Sequence, residues 1–340
     1  MIRIGIVGSG EVANFGHLPA IVSNPSFQLA ALFDPNEDQL AATAAKFGSP
    51  PTFKDIGAFY RTDLDAVLIA SPAPTHHENV LIAASKGVHV LCEKPISDDE
   101  AEAQEMADAM ANTGKIFTIG FCYRFSHVSR QIGQWVREGS IGKVKSLRLI
   151  YIWNLHGRYE PDTDGKWIES PRWRGRMVEG GPMVDCGVHM IDLARTWLGS
   201  EPVNVQGHGA WVADYEAPDH MYLHMDHACE AHTMVEMSFT YCHTAREPIN
   251  HFSYHLIGDG GVIRYDRNGY VLEARGGEKT LHVPGNSEKN FEGMYQEFAR
   301  AIETGDSTGL PTAEDGIVAT RIAWQATHQA MAQRLRPSAH

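Results

Sequence analysis

Ile2-Arg-Ile-Gly-Ile-Val7 runs straight into Gly8-Ser-Gly10-Glu-Val-Ala13. An apolar run of strand length, a glycine pair and the opening of a helix let backbone come close to a pyrophosphate and aim helix N–H groups at it. Glycine triplets occur often by chance, so the flanks carry the reading. The strand lies in front, and the next apolar run, 28–33, ends at Asp34, where a carboxylate would bond a ribose diol. An acid that merely caps a turn is the competing reading. Residues 35–39 (Pro-Asn-Glu-Asp-Gln) contain no Arg or Lys. A 2′-phosphate there would meet acids and no counter-charge, so NAD is expected rather than NADP.

Working outward, the first third alternates strand and helix, which predicts a parallel sheet with crossover helices. Strands are expected at 2–7, 28–33, 65–70, 88–91 and 116–120, and helices at 37–47, 76–86 and 98–112. The last opens with Ser97-Asp-Asp-Glu100, a capping-box spacing. The fourth strand feeds Glu93-Lys94-Pro95. A cation delivered at a strand's carboxyl end reaches the edge where nucleotides lie in such sheets. Pro95 restricts Lys94 to extended backbone, which distinguishes this lysine from the ordinary exposed loop lysine.

Beyond about residue 122, β-type segments dominate, at 144–153, 203–212, 220–226, 233–241, 252–257, 262–265 and 270–274, with helices at 183–198, 290–303 and 313–333. The expected organisation is an α/β domain, 1–122, with a doubly wound parallel sheet. An α+β domain, 123–340, follows, built on an open-faced, mostly antiparallel β-sheet. Within it, Gly180-Gly181-Pro-Met-Val-Asp185-Cys-Gly-Val-His189-Met-Ile-Asp192 sets a carboxylate and an imidazole four residues apart, on one face of a helix. That pair suits proton exchange near neutral pH. A solvated helix pair is the bland alternative, but Met183, Val184, Val188, Leu193 and Trp197 predict packed surroundings.

The 340 residues suit two domains. A formal net charge of −13 excludes a polyanionic partner such as nucleic acid, which needs basic surface. No apolar run approaches the roughly 20 residues of a membrane span. The strand at the very start leaves no signal peptide, and five cysteines without a CxxC pair fit reduced thiols; a cytoplasmic location is the expectation. Histidine is unusual, with 18 residues, densest in His220-Met-Tyr-Leu-His224-Met-Asp226-His227-Ala-Cys229-Glu-Ala-His232. The alternation predicts a strand with one polar face. Ligand types strung along one strand do not converge without a second element, so no metal is expected, and a polar sheet face or subunit contact is preferred.

These motifs together resemble the glucose-fructose oxidoreductase / inositol dehydrogenase / rhizopine catabolism (Gfo/Idh/MocA) family of NAD(P)-dependent oxidoreductases. The resemblance rests on Gly8-x-Gly10-x-x-Ala13, Ser71-Pro72-x-x-x-His76, Glu93-Lys94-Pro95, Gly120-Phe-Cys-Tyr123-Arg124-Phe, Ile141-Gly-Lys-Val144, the Asp185…His189 helix and Leu310-Pro-Thr-Ala-Glu314-Asp315. It implies a Rossmann domain and a sheet domain that forms the subunit interface of a homodimer or homotetramer. It implies a sugar or polyol substrate whose secondary alcohol gives hydride to nicotinamide. Lys94 would bond the reacting oxygen, His189 would exchange its proton, and Asp185 would bind substrate hydroxyls or orient the site. Cofactor contacts carry over to Gly8, Gly10, Glu11, Val12, Ala13 and Asp34, and to Ser71, Pro72, His76, Glu93, Lys94 and Pro95. Pro182 replaces a glycine often found before that helix, a change suited to a first helical position.

Substrate choice is expected from 154–177, which carries His156, Arg158, Trp167, Trp173, Arg174 and Arg176. His156, Trp173, Arg174 and Tyr123 join Asp185 and His189 as substrate-binding candidates. Two rival functions share the fold: an NAD-dependent glycosidase that regenerates its cofactor, and a non-catalytic NAD- and sugar-sensing protein.

Overall fold

In the computed structural model, which describes residues 1–153, 159–240, 249–269, 271–277, 279–284 and 289–334, the alternation of the first third becomes a six-stranded sheet. Its strands are β1 (Ile2–Val7), β2 (Phe27–Phe33), β3 (Thr52–Phe53), β4 (Ala66–Ile69), β5 (His89–Cys92) and β6 (Phe117–Ile119), in the order β3-β2-β1-β4-β5-β6. Every pairing is parallel. Helices α1 (Leu18–Ser23), α2 (Glu37–Lys46), α3 (Ile56–Phe59), α4 (His76–Lys86) and α5 (Glu100–Ala111) supply the crossovers. All four residues of β4 are fully buried, because a parallel sheet is covered on both faces and its central strands read as unbroken apolar runs. The strand order reverses between β1 and β4, which opens a crevice at their carboxyl ends.

The cap of α5 differs from the expected capping box. Asp99, not Ser97, is the N-cap, accepting from the amides of Ala101 and Glu102. The Ser97 hydroxyl instead donates to Glu102.

The compact unit around this sheet is Met1–Phe125 together with Lys289–Val318. The domain division expected from sequence places 289–318 in the second domain. α9 (Phe291–Thr304) accounts for the difference. Its Phe291, Tyr295 and Phe298 are buried against the β1–β2 side, with Phe27 5.5 Å from Tyr295 and 6.3 Å from Phe298 between ring centroids. A Cβ on Gly16 would lie 2.5 Å from the Phe291 ring, so the chain there admits only glycine. Asn290 fixes the return by donating its side-chain amide to the Phe125 carbonyl.

The second unit is Ser126–Glu288 with Ala319–His340. Its core is an eight-stranded mixed sheet built from β7 (Val144–Ile152), β10 (Pro202–Ala210), β11 (His220–His227), β12 (His232–Ser238), β13 (His251–Gly258), β14 (Gly261–Asp266), β15 (Val271–Gly276) and β16 (Lys279–Pro284). β8 (Tyr159–Pro161) and β9 (Trp167–Glu169) pair separately. All pairings in the large sheet are antiparallel except β12 with β7. The remaining helices are α6 (His127–Arg137), α7 (Pro171–Val178), α8 (Val188–Leu198) and α10 (Ala313–Arg334). One face of the sheet, including Leu147, Leu149, Met221, Leu223, Val235, Tyr254 and Leu256, is buried, with α8 against β7 and β12. Trp197 of α8 donates its indole N–H to the Ser129 carbonyl of α6. Burying side chains of this size stabilises by about 1.5–3 kcal/mol each. No helix among the described residues is long and apolar enough to cross a membrane.

Candidate functional site

In the first unit the glycine loop leaves β1 at the switch point. Gly8 has φ +96°, and a Cβ there would stand 2.6 Å from the Ser71 amide nitrogen and 2.8 Å from the Ala70 carbonyl. The loops after β1 and β4 are therefore in backbone contact, and glycine is obligatory. Gly10 is different: an added Cβ would meet only the Gln39 amide, at 3.7 Å. The protein itself makes no use of that room, and a pyrophosphate approaching the helix N-terminus would. A dinucleotide fits here, in room that a side chain at position 10 would fill. Carbonyls of the loop are turned inward, with Ser9 O accepting from Asn14 and Gln39 and Gly10 O accepting from Asn14. The first-turn amides of the helix that Glu11, exposed, Val12, half-buried, and Ala13, buried, begin face outward by helix geometry. That helix passes through a π turn, Ala13–His17, before α1.

Asp34 is nearly buried. Its Oδ2 accepts from both the amide and the hydroxyl of Ser9, and its Oδ1 from the Asn36 amide. It ties the glycine loop to the end of β2, with acceptor capacity left on Oδ1 for a ribose hydroxyl.

Glu93, Lys94 and Pro95 follow β5, and the Lys94–Pro95 bond is cis. The Glu93 carboxylate is the organising group. Oε1 lies 2.8 Å from Nε2 of His17, Oε2 accepts from the Lys94 amide, and the other nitrogen of His17, Nδ1, lies 2.9 Å from the Tyr295 hydroxyl. His17 and Tyr295 are fully buried, and burial pushes the tyrosine pKa well above its usual value. Gly120 makes space for this carboxylate, since a Cβ would fall 2.6 Å from Oε1. A buried chain from α9 through the π turn thus holds the backbone of Lys94.

His76 plays a related part. It is 1% exposed, with Nε2 2.8 Å from Ser71 O and Nδ1 3.0 Å from Pro95 O. It pins the Ser71-Pro72 turn to the Pro95 turn from behind. Burial pushes its pKa down, against the opposing pull of the Ser71 carbonyl and the Glu93 charge. The Ser71 hydroxyl accepts from Thr75. Tyr123 is buried in a short 3-10 turn, Cys122–Phe125, beside Arg124, which pairs with Asp315 at 3.0 Å.

In the second unit, Gly180 and Gly181 both have positive φ, +99° and +65°, and Pro182 follows in helical conformation. Proline is accommodated at this first turn, as expected. Asp185 then lies in a π turn, Met183–Gly187, and His189 in the first turn of α8. The i,i+4 spacing of a regular helix therefore does not describe this pair. Arg176 of α7 donates its guanidinium to Asp185 Oδ2, a partner the sequence reading did not assign. His189 and Asp192 are each 1% exposed. Gly187 lets the turn approach β12: a Cβ would stand 3.4 Å from the Met237 side chain and 2.5 Å from Met183 Sδ. Arg174 is exposed and sits 3.9 Å from Glu216. His156 and the Trp173 side chain lie outside the described residues.

His220, Tyr222, His224, Asp226 and His232 form the polar face of β11 and β12, as expected, whereas His227 is buried with Nε2 3.0 Å from the Thr233 hydroxyl. The hairpin does supply the second element that a single strand lacks, by setting Asp226 opposite His232. His232 Nδ1 bonds Asp226 at 2.7 Å, and its Nε2 lies 3.1 Å from His224 Nδ1. Among the described residues no group of three or more His, Cys, Asp or Glu could hold a metal ion.

Two family models match this chain. The model of the oxidoreductase family with an NAD-binding Rossmann fold matches residues 2–121, and that of the GFO/IDH/MocA C-terminal domain matches residues 129–264. The chain is similar to D-glucoside 3-dehydrogenase of Escherichia coli (strain K12), 30% identical over 199 residues, 58% of this chain and 54% of that protein. It is also similar to myo-inositol 2-dehydrogenase of Thermotoga maritima, 30% identical over 216 residues, 63% of this chain and 60% of that protein. The aligned part thus spans little more than half the length of these curated relatives. Among solved structures, a levoglucosan dehydrogenase in complex with NADH and levoglucosan superposes with a TM-score of 0.81 at 22% identity, covering 98% of this chain and 97% of that one. An oxidoreductase from Agrobacterium radiobacter, in complex with NAD+, L-tartaric acid and magnesium, gives 0.81 at 18% identity, covering 98% and 99%. With both of its domain types matched in order along the chain, this protein belongs to the Gfo/Idh/MocA family of oxidoreductases.

Proposed function

We propose that the chain is an NAD-dependent dehydrogenase that moves a hydride between a secondary alcohol of a sugar, polyol or sugar derivative and nicotinamide. The observation that carries this reading is the Glu93-Lys94-Pro95 turn. It lies at the carboxyl edge of the sheet that bears the glycine loop and is held by a buried chain of side chains. The names of the relatives add the substrate class, because D-glucoside 3-dehydrogenase and myo-inositol 2-dehydrogenase both denote oxidation of a ring hydroxyl.

When bound, the nicotinamide supplies the hydride acceptor or donor. The protein's part is placement and charge. The Lys94 ammonium stabilises oxyanion character on the reacting oxygen, where preorganised charge contributes most. His189 takes the hydroxyl proton during oxidation and returns it during reduction. Asp185, steadied by Arg176, binds a neighbouring hydroxyl, and Arg174 and the segment around it choose among ring substituents. Glycine-loop amides hold the pyrophosphate, and Asp34 holds the ribose.

The test is reduced-nicotinamide production with NAD and NADP across inositols, aldoses, sugar acids, anhydrosugars and glycosides. Turnover of any one supports the reading. Silence with confirmed NAD binding overturns it, and cleavage of an aryl glycoside without net reduction would assign the glycosidase instead. Asp34→Ala is expected to weaken NAD binding about 10–100-fold, the worth of hydrogen bonds to a charged acceptor, and to narrow the preference for NAD over NADP. Calorimetric titration checks this, and unchanged affinity for both would remove Asp34 from the ribose site. The polar face of the eight-stranded sheet is the proposed subunit contact of a homodimer or homotetramer, and a monomer by light scattering would refute it.

A further inference from the structure

The sequence window after β2 contains no cation, yet the fold brings one there. β2 and β3 run parallel with Phe33 opposite Phe53, and the Asp34 amide donates to the Phe53 carbonyl. The residue that follows each strand is Asp34 on one and Lys54 on the other. Lys54 therefore starts about one strand spacing, roughly 5 Å, from the residue that faces the ribose. Its ammonium is engaged by Glu37, the first residue of α2, with Nζ 2.7 Å from Oε2. Both side chains are largely exposed. An exposed pair of this kind has little net stability, so what it does to a ligand outweighs what it does for the fold.

We propose that Lys54 is a latent subsite for the 2′-phosphate of NADP, which Glu37 keeps closed. This rests on the cofactor reading above and concerns only the adenosine end. Glu37 acts twice: it neutralises the cation that follows β3 beside the Asp34 position, and its own charge repels a phosphate. The first turn of α2 also holds Asp38, and Asn36 caps the helix by accepting from the Gln39 amide, so no second cation on that turn assists a phosphate. The Lys54 ammonium in turn holds the Glu37 carboxyl below the usual carboxylate range, so Glu37 remains an anion throughout the neutral range. Preference for NAD would then come from an ion pair between two elements as well as from Asp34.

The experiment is titration of the full chain and its Glu37→Gln, Lys54→Met and double variants with NAD, NADP and adenosine 2′,5′-bisphosphate, by calorimetry, without turnover. Glu37→Gln is expected to tighten NADP and the bisphosphate by about tenfold or more, the worth of one charge-assisted contact, and to leave NAD within about threefold. Adding Lys54→Met to that variant should abolish the gain. An NADP-to-NAD ratio unchanged in Glu37→Gln, or a gain that survives in the double variant, overturns the subsite while intact NAD binding keeps the cofactor reading. Failure of every form to bind NAD or NADP overturns both.

Discussion

Lys94→Met is expected to lower kcat by about 10³-fold or more while NAD affinity stays within about threefold. Loss of a single preorganised oxyanion donor costs roughly 10²–10³ in rate, and here the donor carries a full charge. Methionine preserves the length and apolar stem of the side chain. The bond from residue 94 to Glu93 uses the backbone amide, so the support built from His17, Glu93 and Tyr295 survives the substitution. The effect should therefore fall on the chemical step and leave binding nearly untouched. Steady-state kinetics on whichever sugar or polyol is turned over, with NAD binding measured separately, checks this. A variant that turns over at the parent rate would remove Lys94 from the mechanism. A variant that loses NAD binding and turnover together would assign the lysine to the cofactor instead.

That scaffold also marks the limit of what the sequence could disclose. The strand, the glycine pair and Asp34 form a local pattern, and each feature has its cause within a few residues. The parallel sheet and its phosphate-binding loop were therefore legible. The partners that hold the site in place were not. His17 meets Glu93 across 76 residues and Tyr295 across 278, separations that leave no periodic trace. The same reason hid the return of 289–318 to the first unit, since its apolar residues read equally well as the core of either half. The π turns at Ala13–His17 and Met183–Gly187 have no residue signature, so spacing rules for a regular helix were applied to Asp185 and His189 where they do not hold. By contrast α6 could have been found. Val128, Ile132 and Trp135, buried in the structure, recur at helical spacing behind Ser126, which caps the helix by accepting from the Ser129 amide. Lys54 shows a related failure: a search along the chain near Asp34 cannot see a cation delivered by the neighbouring strand.

His189→Asn is expected to lower kcat for alcohol oxidation by about 10²–10⁴-fold, the usual worth of a positioned general base, and to change the shape of the pH profile. The sign follows from the role. Oxidation requires a neutral ring to receive the hydroxyl proton, so the parent rate should fall as pH drops and the ring takes up a proton. Carbonyl reduction requires the protonated ring and should show the opposite slope. Asparagine has no titration there, so both limbs should flatten in the variant, which a merely structural defect would not produce. Because His189 is buried, the fold of the variant is checked by its thermal transition in circular dichroism. The Arg176 contact to Asp185 lies on a separate side chain and remains to hold the carboxylate. A folded variant with kcat within about threefold of the parent and the same pH limbs would transfer the proton step to another group.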